Sequence, residues 1–173
     1  MKSVCSYLDA ANFSSHMTTS RRHIEMICDL SRGKTVLEIG SHVGISSTAI
    51  ALAGGIVTSV DLCDTISEQD RVAHWTLHGV TITPWAGAAE AYLENCGKFD
   101  VVFHDARHGE CALSEYLACA DICSTLVIHD FEQLSPAGQD PVVSRTSETV
   151  MDADERGRVL FIGKVLQLRG TSK

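Results

Sequence analysis

Two apolar runs in the second half of the chain finish on the same residue types. FDVVFHDARH, residues 99–108, carries His104, Asp105 and His108 at and beyond its end, and STLVIHDF, residues 124–131, carries His129 and Asp130. Carboxylates and imidazoles gathered in one place can take a proton from a hydroxyl group or hold a divalent cation. Charge buried at the end of a strand is costly unless something compensates it, so its repetition on two runs points to a role beyond folding. A second pair of acids, Glu38 and Asp61, brackets a glycine turn, GSHVG, at residues 40–44. Carboxylates on either side of such a turn suit a ligand that offers positive charge to one and hydroxyl groups to the other.

The elements that must position these groups can be read from the same stretches. Thr35 to Ile39 is a short apolar run long enough for one buried strand. Gly40 to Gly44 is a turn, Ser46, Ser47 and Thr48 lead into a helical run over Ala49 to Ala53, and Ile56 to Leu62 is a second strand that carries Asp61. Strand, glycine turn, helix, strand and acid make up a nucleotide-binding βαβ unit, with the acid placed to accept ribose hydroxyls. A dinucleotide site requires G-x-G-x-x-G so that a pyrophosphate can rest on the helix start. Here the spacing is G-x-x-x-G, and Glu38 stands two residues before the first glycine, where it would repel a pyrophosphate. A carboxylate there suits a cofactor with an ammonium and a sulfonium charge, which is S-adenosyl-L-methionine.

LEIGSHVGISS (residues 37–47) resembles the first motif of the class I S-adenosylmethionine-dependent methyltransferases, and its form E-I-G-x-x-x-G-x-S is similar to that of the small-molecule O-methyltransferases of the catechol and caffeoyl-CoA type. The resemblance implies an α/β fold, a Rossmann-like three-layer sandwich around a mostly parallel seven-stranded sheet with an antiparallel edge strand. It implies a cofactor site at Glu38, Gly40, Ser41, His42, Gly44, Ser46, Asp61, Leu62, Gly87, Ala88 and Asp105. It also implies O-methylation of a small-molecule acceptor, and allows for a homodimer. Asp105 and Asp130 match positions that carry metal-ligand acids in the metal-dependent members, which implies Mg²⁺ or a similar divalent ion. In those members an amide ligand follows the second acid; here the next residue is Phe131, and His129 or His108 is the candidate substitute.

Taken in order, the chain opens on residues 1–15, a short helix or an irregular arm. A helix follows, with Thr18, Thr19 or Ser20 as its cap, an apolar face of Ile24, Ile27, Cys28 and Leu30, and Gly33 as its stop. The resemblance lays the start of this helix over the methionine end of the cofactor, making Thr18 and Thr19 candidate contacts; simple capping is the other reading. Ser67 to Leu77 reads as a helix, Val80 to Thr83 as a third strand, and Ala88 to Leu93 as a further helix. The turn between them holds the adenine in the resembling family, where an acid often follows the glycine; here that residue is Ala88. Trp85 is either an adenine platform or core. A helix is expected over Cys111 to Ala120 and a short one over Pro141 to Met151, with a closing hairpin of Val159 to Ile162 and Val165 to Leu168. The whole is expected to be one methyltransferase domain, 1–173, with an N-terminal arm and leading helix (1–33) before a Rossmann-like core (34–173).

Three roles stay open for the strand-end residues Asp105, His108, His129 and Asp130. They could bind a metal through Asp105, Asp130 and His129, work without metal with His108 as general base beside Asp105 and Asp130, or form a satisfied polar network that fixes strand ends. His42 reads as a cofactor-side residue, and His16, His23, His74 and His78 as surface or helix-face histidines.

Composition narrows the class. A formal charge of −8 over 173 residues argues against a broad nucleic-acid surface. HDAR stands where amino-methylating DNA enzymes carry D/N-P-P-Y/F, and none of Pro84, Pro136 and Pro141 precedes a cysteine, so a DNA methyltransferase is disfavoured. No stretch has the ~18 apolar residues of a membrane span, and the first 15 residues lack the apolar core of a signal peptide. Seven scattered cysteines without a C-x-x-C pair read as reduced thiols, and the expected location is the cytoplasm. Two other functions compete with methyl transfer: a nicotinamide-dependent oxidoreductase on a Rossmann core, and a non-catalytic S-adenosylmethionine-binding protein.

Overall fold

Thr35–Ile39 forms β1, the strand around which the sheet is built, with Val36, Leu37 and Ile39 all buried. The computed structural model describes residues 3–11, 19–63, 65–106, 113–130, 150–154 and 159–163. β1 pairs in parallel with β2 (Ile56–Asp61) on one side and β4 (Phe99–His104) on the other. β3 (Thr83–Ala86) extends the sheet beyond β2, and β5 (Cys123–Ile128) extends it beyond β4. β7 (Val159–Gly163) runs antiparallel to β5, and β6 (Val150–Ala153) closes the edge against β7. The order is β3-β2-β1-β4-β5-β7-β6. Strand order reverses between β1 and β4, and in an open parallel sheet the crevice at such a reversal is where ligands bind.

Alternation along the strands divides the core into two layers. Val36, Val57, Val101, Phe103 and Val127 face helices α1 (Val4–Ala10), α2 (Arg21–Ser31), α3 (Ile45–Leu52) and α4 (Glu68–Leu77) through Tyr7, Leu8, Ile24, Ile27, Ile50 and Trp75. Leu37, Ile39, Val60, Val102, Leu126 and Ile128 face α5 (Ala89–Leu93) and α6 (Leu113–Ile122) through Leu93, Tyr116 and Cys119. Each such fully buried apolar side chain contributes about 1.5–3 kcal/mol. Ser20 caps α2, its Oγ accepting the His23 N–H, and Ser67 caps α4 by accepting the Asp70 N–H.

Two sequence expectations shift. The third strand is not Val80 to Thr83 but Thr83–Ala86: Ile82 packs into the core as part of the approach, while Pro84 is tolerated because β3 is an edge strand. The closing hairpin is β6–β7, so Val150 and Met151 are strand and not the end of a helix; their backbone pairs with Ile162 and Phe161. Residues 141–149, and the Val165 to Leu168 run expected as the second hairpin strand, lie outside the described residues. No helix among the described residues is long and apolar enough to cross a membrane.

Candidate active site

Both glycines of the GSHVG turn are left-handed, Gly40 with φ +88 and Gly44 with φ +84. What crowds them is the protein itself. A Cβ on Gly40 would lie 2.4 Å from the Asp105 carbonyl oxygen and 2.7 Å from Ala106 Cα, and one on Gly44 would lie 2.5 Å from Trp75 Nε1. The turn is thus shaped by close approach to the exit of β4 and to α4.

Glu38 and Asp61 point to the same face of the sheet. Glu38 pairs with Ser59, Asp61 lies two residues further along β2, and the alternation that sends Val36 and Val57 toward α3 sends both acids that way. Glu38 is fully buried beneath the turn. Its Oε2 accepts a hydrogen bond from Ser47 Oγ in the first turn of α3, while Oε1 has no partner. Burial pushes the Glu38 carboxyl up to about 7; the Ser46 and Ser47 hydroxyls oppose the rise, and the charges of Asp105 and Asp61 add to it. Half-buried Asp61 accepts the His42 N–H on Oδ2 and the Cys63 N–H on Oδ1, each at 2.8 Å. An ionised carboxylate has about four acceptor positions, so two remain for a ligand's hydroxyl groups.

Arg71 is a constituent that the sequence reading missed. Its guanidinium is fully buried on α4 and donates to Ser41 Oγ at 2.5 Å, to Cys63 Sγ at 2.7 Å and to Ser59 Oγ at 3.4 Å. It clamps the turn to the end of β2 from below. The available signal was a lone arginine four residues before Trp75 on a helix of mixed character, too weak to read without the fold. Beyond Asp61 two apolar side chains stand open, Leu62 at 51 % and Trp85 at 39 % exposure. Trp85 is therefore not core; it sits on the edge strand with its ring 5.5 Å from that of Tyr92. Gly87 donates its N–H to the Asp61 carbonyl at 2.9 Å, and Ala88 caps α5 without a side-chain hydrogen bond.

Hydrogen bonds carry the parallel ladder past the strand ends, from the Asp105 N–H to the Ile39 carbonyl (2.8 Å) and from the His129 N–H to the His104 carbonyl (3.0 Å). They bring Asp105, His129 and Asp130 together, one donor atom from each lying within 4.8 Å of the others. Asp105 accepts Thr19 Oγ1–H on Oδ2 at 2.6 Å and faces His129 Nδ1 with Oδ1 at 2.9 Å; Asp130 Oδ1 is 3.4 Å from the same nitrogen. Thr19 thus reaches the site from the start of α2. Thr18 and His108 lie outside the described residues. His104 belongs elsewhere: strand alternation turns it away from Asp105, and its Nε2 lies 2.8 Å from Glu115 Oε2 in the α6 layer. Among the described residues the non-glycine positions with left-handed backbone are His42, Cys63 and Asp130, and all three follow the carboxyl ends of strands. Such strain gathers where a site over-determines the backbone.

The sequence matches no family model and no curated protein. Solved structures do match. Cofactor-bound Rv0187 from MTB is 18 % identical, with 94 % of this chain and 87 % of that one covered at a TM-score of 0.69. The O-methyltransferase from Bacillus cereus in complex with SAH is 18 % identical, with 92 % and 86 % covered at 0.61. The O-methyltransferase TomG from Streptomyces achromogenes, involved in tomaymycin synthesis and in complex with SAM, is 19 % identical, with 84 % and 80 % covered at 0.61. The chain has the class I methyltransferase fold. In this methyltransferase fold the crevice at the strand reversal lies between the Glu38–Asp61 pair and the Asp105–His129–Asp130 group. The divalent ion that the resemblance implied would draw its oxygen donors from Asp105 and Asp130. Both Asp105 oxygens already face donors, and Nδ1 of His129, at 2.9 Å from a carboxylate oxygen, holds a proton. This trio is a hydrogen-bonded network whose donor atoms also lie close enough together to hold such an ion, each carboxylate oxygen keeping a second lone pair.

Proposed function

We propose that the chain is an S-adenosylmethionine-dependent methyltransferase acting on a hydroxyl oxygen of a small-molecule acceptor. The observation that carries this reading is the orphaned, buried Oε1 of Glu38 in the combined field of Asp61 and Asp105. Three carboxylates around one crevice favour a cationic ligand and disfavour a pyrophosphate. Arg71 supplies a single positive charge against them, directed at Ser41, Ser59 and Cys63.

Within this reading Glu38 attracts the positive methionine end, Asp61 accepts the ribose hydroxyls, and Leu62 and Trp85 offer apolar surface to the adenine. Gly40, Ser41, His42, Gly44 and Ser46 shape the wall, and Gly87 and Ala88 the far edge. Bound S-adenosylmethionine supplies an electrophilic methyl group. Asp105, held by Thr19 and His129, accepts the acceptor's hydroxyl proton, and Asp130 keeps the local field negative so that the departing proton is stabilised. His108 is the second candidate for the base. The six described cysteines are free thiols, which supports a reducing compartment such as the cytoplasm.

Calorimetry tests the first half of this reading: S-adenosylmethionine and S-adenosylhomocysteine should bind and NAD should not. Formation of S-adenosylhomocysteine with a panel of phenols and catechols tests the second. Binding of NAD in place of the sulfonium nucleoside would overturn the reading. A second reading, cofactor binding without turnover, is favoured by one observation, the engagement of both Asp105 oxygens, and is separated from the first by the turnover assay.

A further inference from the structure

The ring of His129 connects two clusters, and the position of its proton distinguishes them. Nδ1 carries the hydrogen that faces Asp105, so the lone pair lies on Nε2. His23 on α2 shows the same division. Its Nε2 is 3.1 Å from the Asp152 carbonyl and must carry the proton there, which leaves the lone pair on Nδ1. That nitrogen is buried without a hydrogen-bond partner in a side chain that is 0 % exposed. The two rings are 5.5 Å apart at 77°, and one donor atom from each of His23, His129 and buried Asp154 lies within 4.8 Å of the others.

We propose that His23, His129 and Asp154 form a binding site for a zinc ion. Histidines that bind metal donate their second nitrogen to a carboxylate or a carbonyl, which fixes the tautomer and aims the lone pair. Here Asp105 does this for His129, and the Asp152 carbonyl does it for His23. Two imidazoles and one carboxylate suit Zn²⁺, whereas Mg²⁺ takes oxygen ligands. Bonds of about 2.0–2.1 Å place tetrahedral donors about 3.3 Å apart, so small side-chain rotations would close the group. Burial, with His129 beside it, holds the His23 imidazole below its ordinary pKa and keeps the ring neutral, as ligation requires.

Such an ion joins α2, the exit of β5 and the residue after β6 beneath the rim. It also makes the Nδ1–H of His129 a stronger donor to Asp105, so the zinc would position the proposed base without touching a substrate. The inference does not rest on methyl transfer.

The test uses the full chain, stripped with a chelator and titrated with Zn²⁺ against a chromophoric competitor. One ion per chain with a dissociation constant below about 1 µM is expected. His23→Gln and Asp154→Asn should each weaken binding by about 100-fold or more, and Asp130→Asn by less than about threefold. X-ray absorption of the zinc-loaded wild-type chain covers variants that fail to fold: two imidazoles at about 2.0 Å are expected. No binding by the wild-type chain, a shell with one imidazole or none, or loss in Asp130→Asn with retention in His23→Gln would overturn the site. S-adenosylmethionine affinity, measured on the same sample, reports separately on the proposed function.

Discussion

The two sides of the crevice are built in different ways. The Glu38–Asp61 side comes from one continuous stretch, and most of its determinants lie within 27 residues of one another: the turn is held by Asp61 accepting the His42 N–H, and Glu38 is fixed by Ser47 nine residues further on. The Asp105–His129–Asp130 side is assembled across the sheet from α2, β4 and β5, with Thr19 contributing over 86 positions. The first side is shaped by local geometry. The second exists only after the strand order is set, so its chemistry can be lost by changes far away in sequence.

Substitutions can separate the two sides. The largest effect is expected at Asp105: Asp105→Asn should lower turnover by about 10²–10⁴-fold, the range for loss of an acid–base group, while S-adenosylmethionine affinity falls by about tenfold or less, from the lost negative field. A parallel collapse of affinity in calorimetry would mean that the two sides are not separable. Next comes Glu38. Its carboxyl is raised from 4.5 to about 7 in the folded chain, so the fold favours the neutral form. Stability is fully present below the unfolded value and is lost as pH rises toward about 7, by about 3 kcal/mol. Glu38→Gln should flatten that loss in thermal melts of the cofactor-free protein between pH 5 and 8 (roughly the window of the shift). The same variant should weaken S-adenosylmethionine binding about tenfold or more, because a cation at Oε1 stabilises the ionised form. In the wild type, affinity should tighten as pH rises through about 7, with proton release visible in buffers of different ionisation enthalpy.

Smaller effects sharpen the picture. Asp61→Ala should cost about 1.5–3 kcal/mol of cofactor affinity. Part of that loss is indirect, because the His42 and Cys63 N–H groups lose their acceptor, so S-adenosylhomocysteine should suffer as much as the sulfonium form. Trp85→Ala should cost about 1 kcal/mol in affinity for the nucleoside and little in melting temperature, since the ring is exposed on an edge strand. A large drop in stability instead would return Trp85 to a packing role.

How far the sequence could be read follows the same division. The βαβ unit was legible because glycine, acid and apolar run lie in local register, and the structure moved its boundaries by only a few residues. Asp105, His129 and Asp130 were legible as strand ends, and their meeting follows from β4 pairing with β5. What failed needed information from elsewhere. His104 was placed at the rim with its neighbours because the phase of alternation is set by which layer of helices claims Val102. His23 reads as a surface or helix-face residue until Asp152, 129 positions away, closes over it. The third strand was placed early because an apolar run outweighed a proline that an edge position accommodates. Arg71 left almost no trace, since a buried arginine is intelligible only once Ser41 and Cys63 are seen around it.

The bare backbone of residue 40 has a consequence for variation. With the Asp105 carbonyl oxygen 2.4 Å from where a side chain would begin, the Glu38–Asp61 side and the Asp105–His129–Asp130 side meet there across a partition of main chain alone. No side chain can be grafted onto residue 40 without displacing the exit of β4. In the proposed methyltransferase, new acceptor preferences therefore have to arise from other residues, while the partition itself stays fixed.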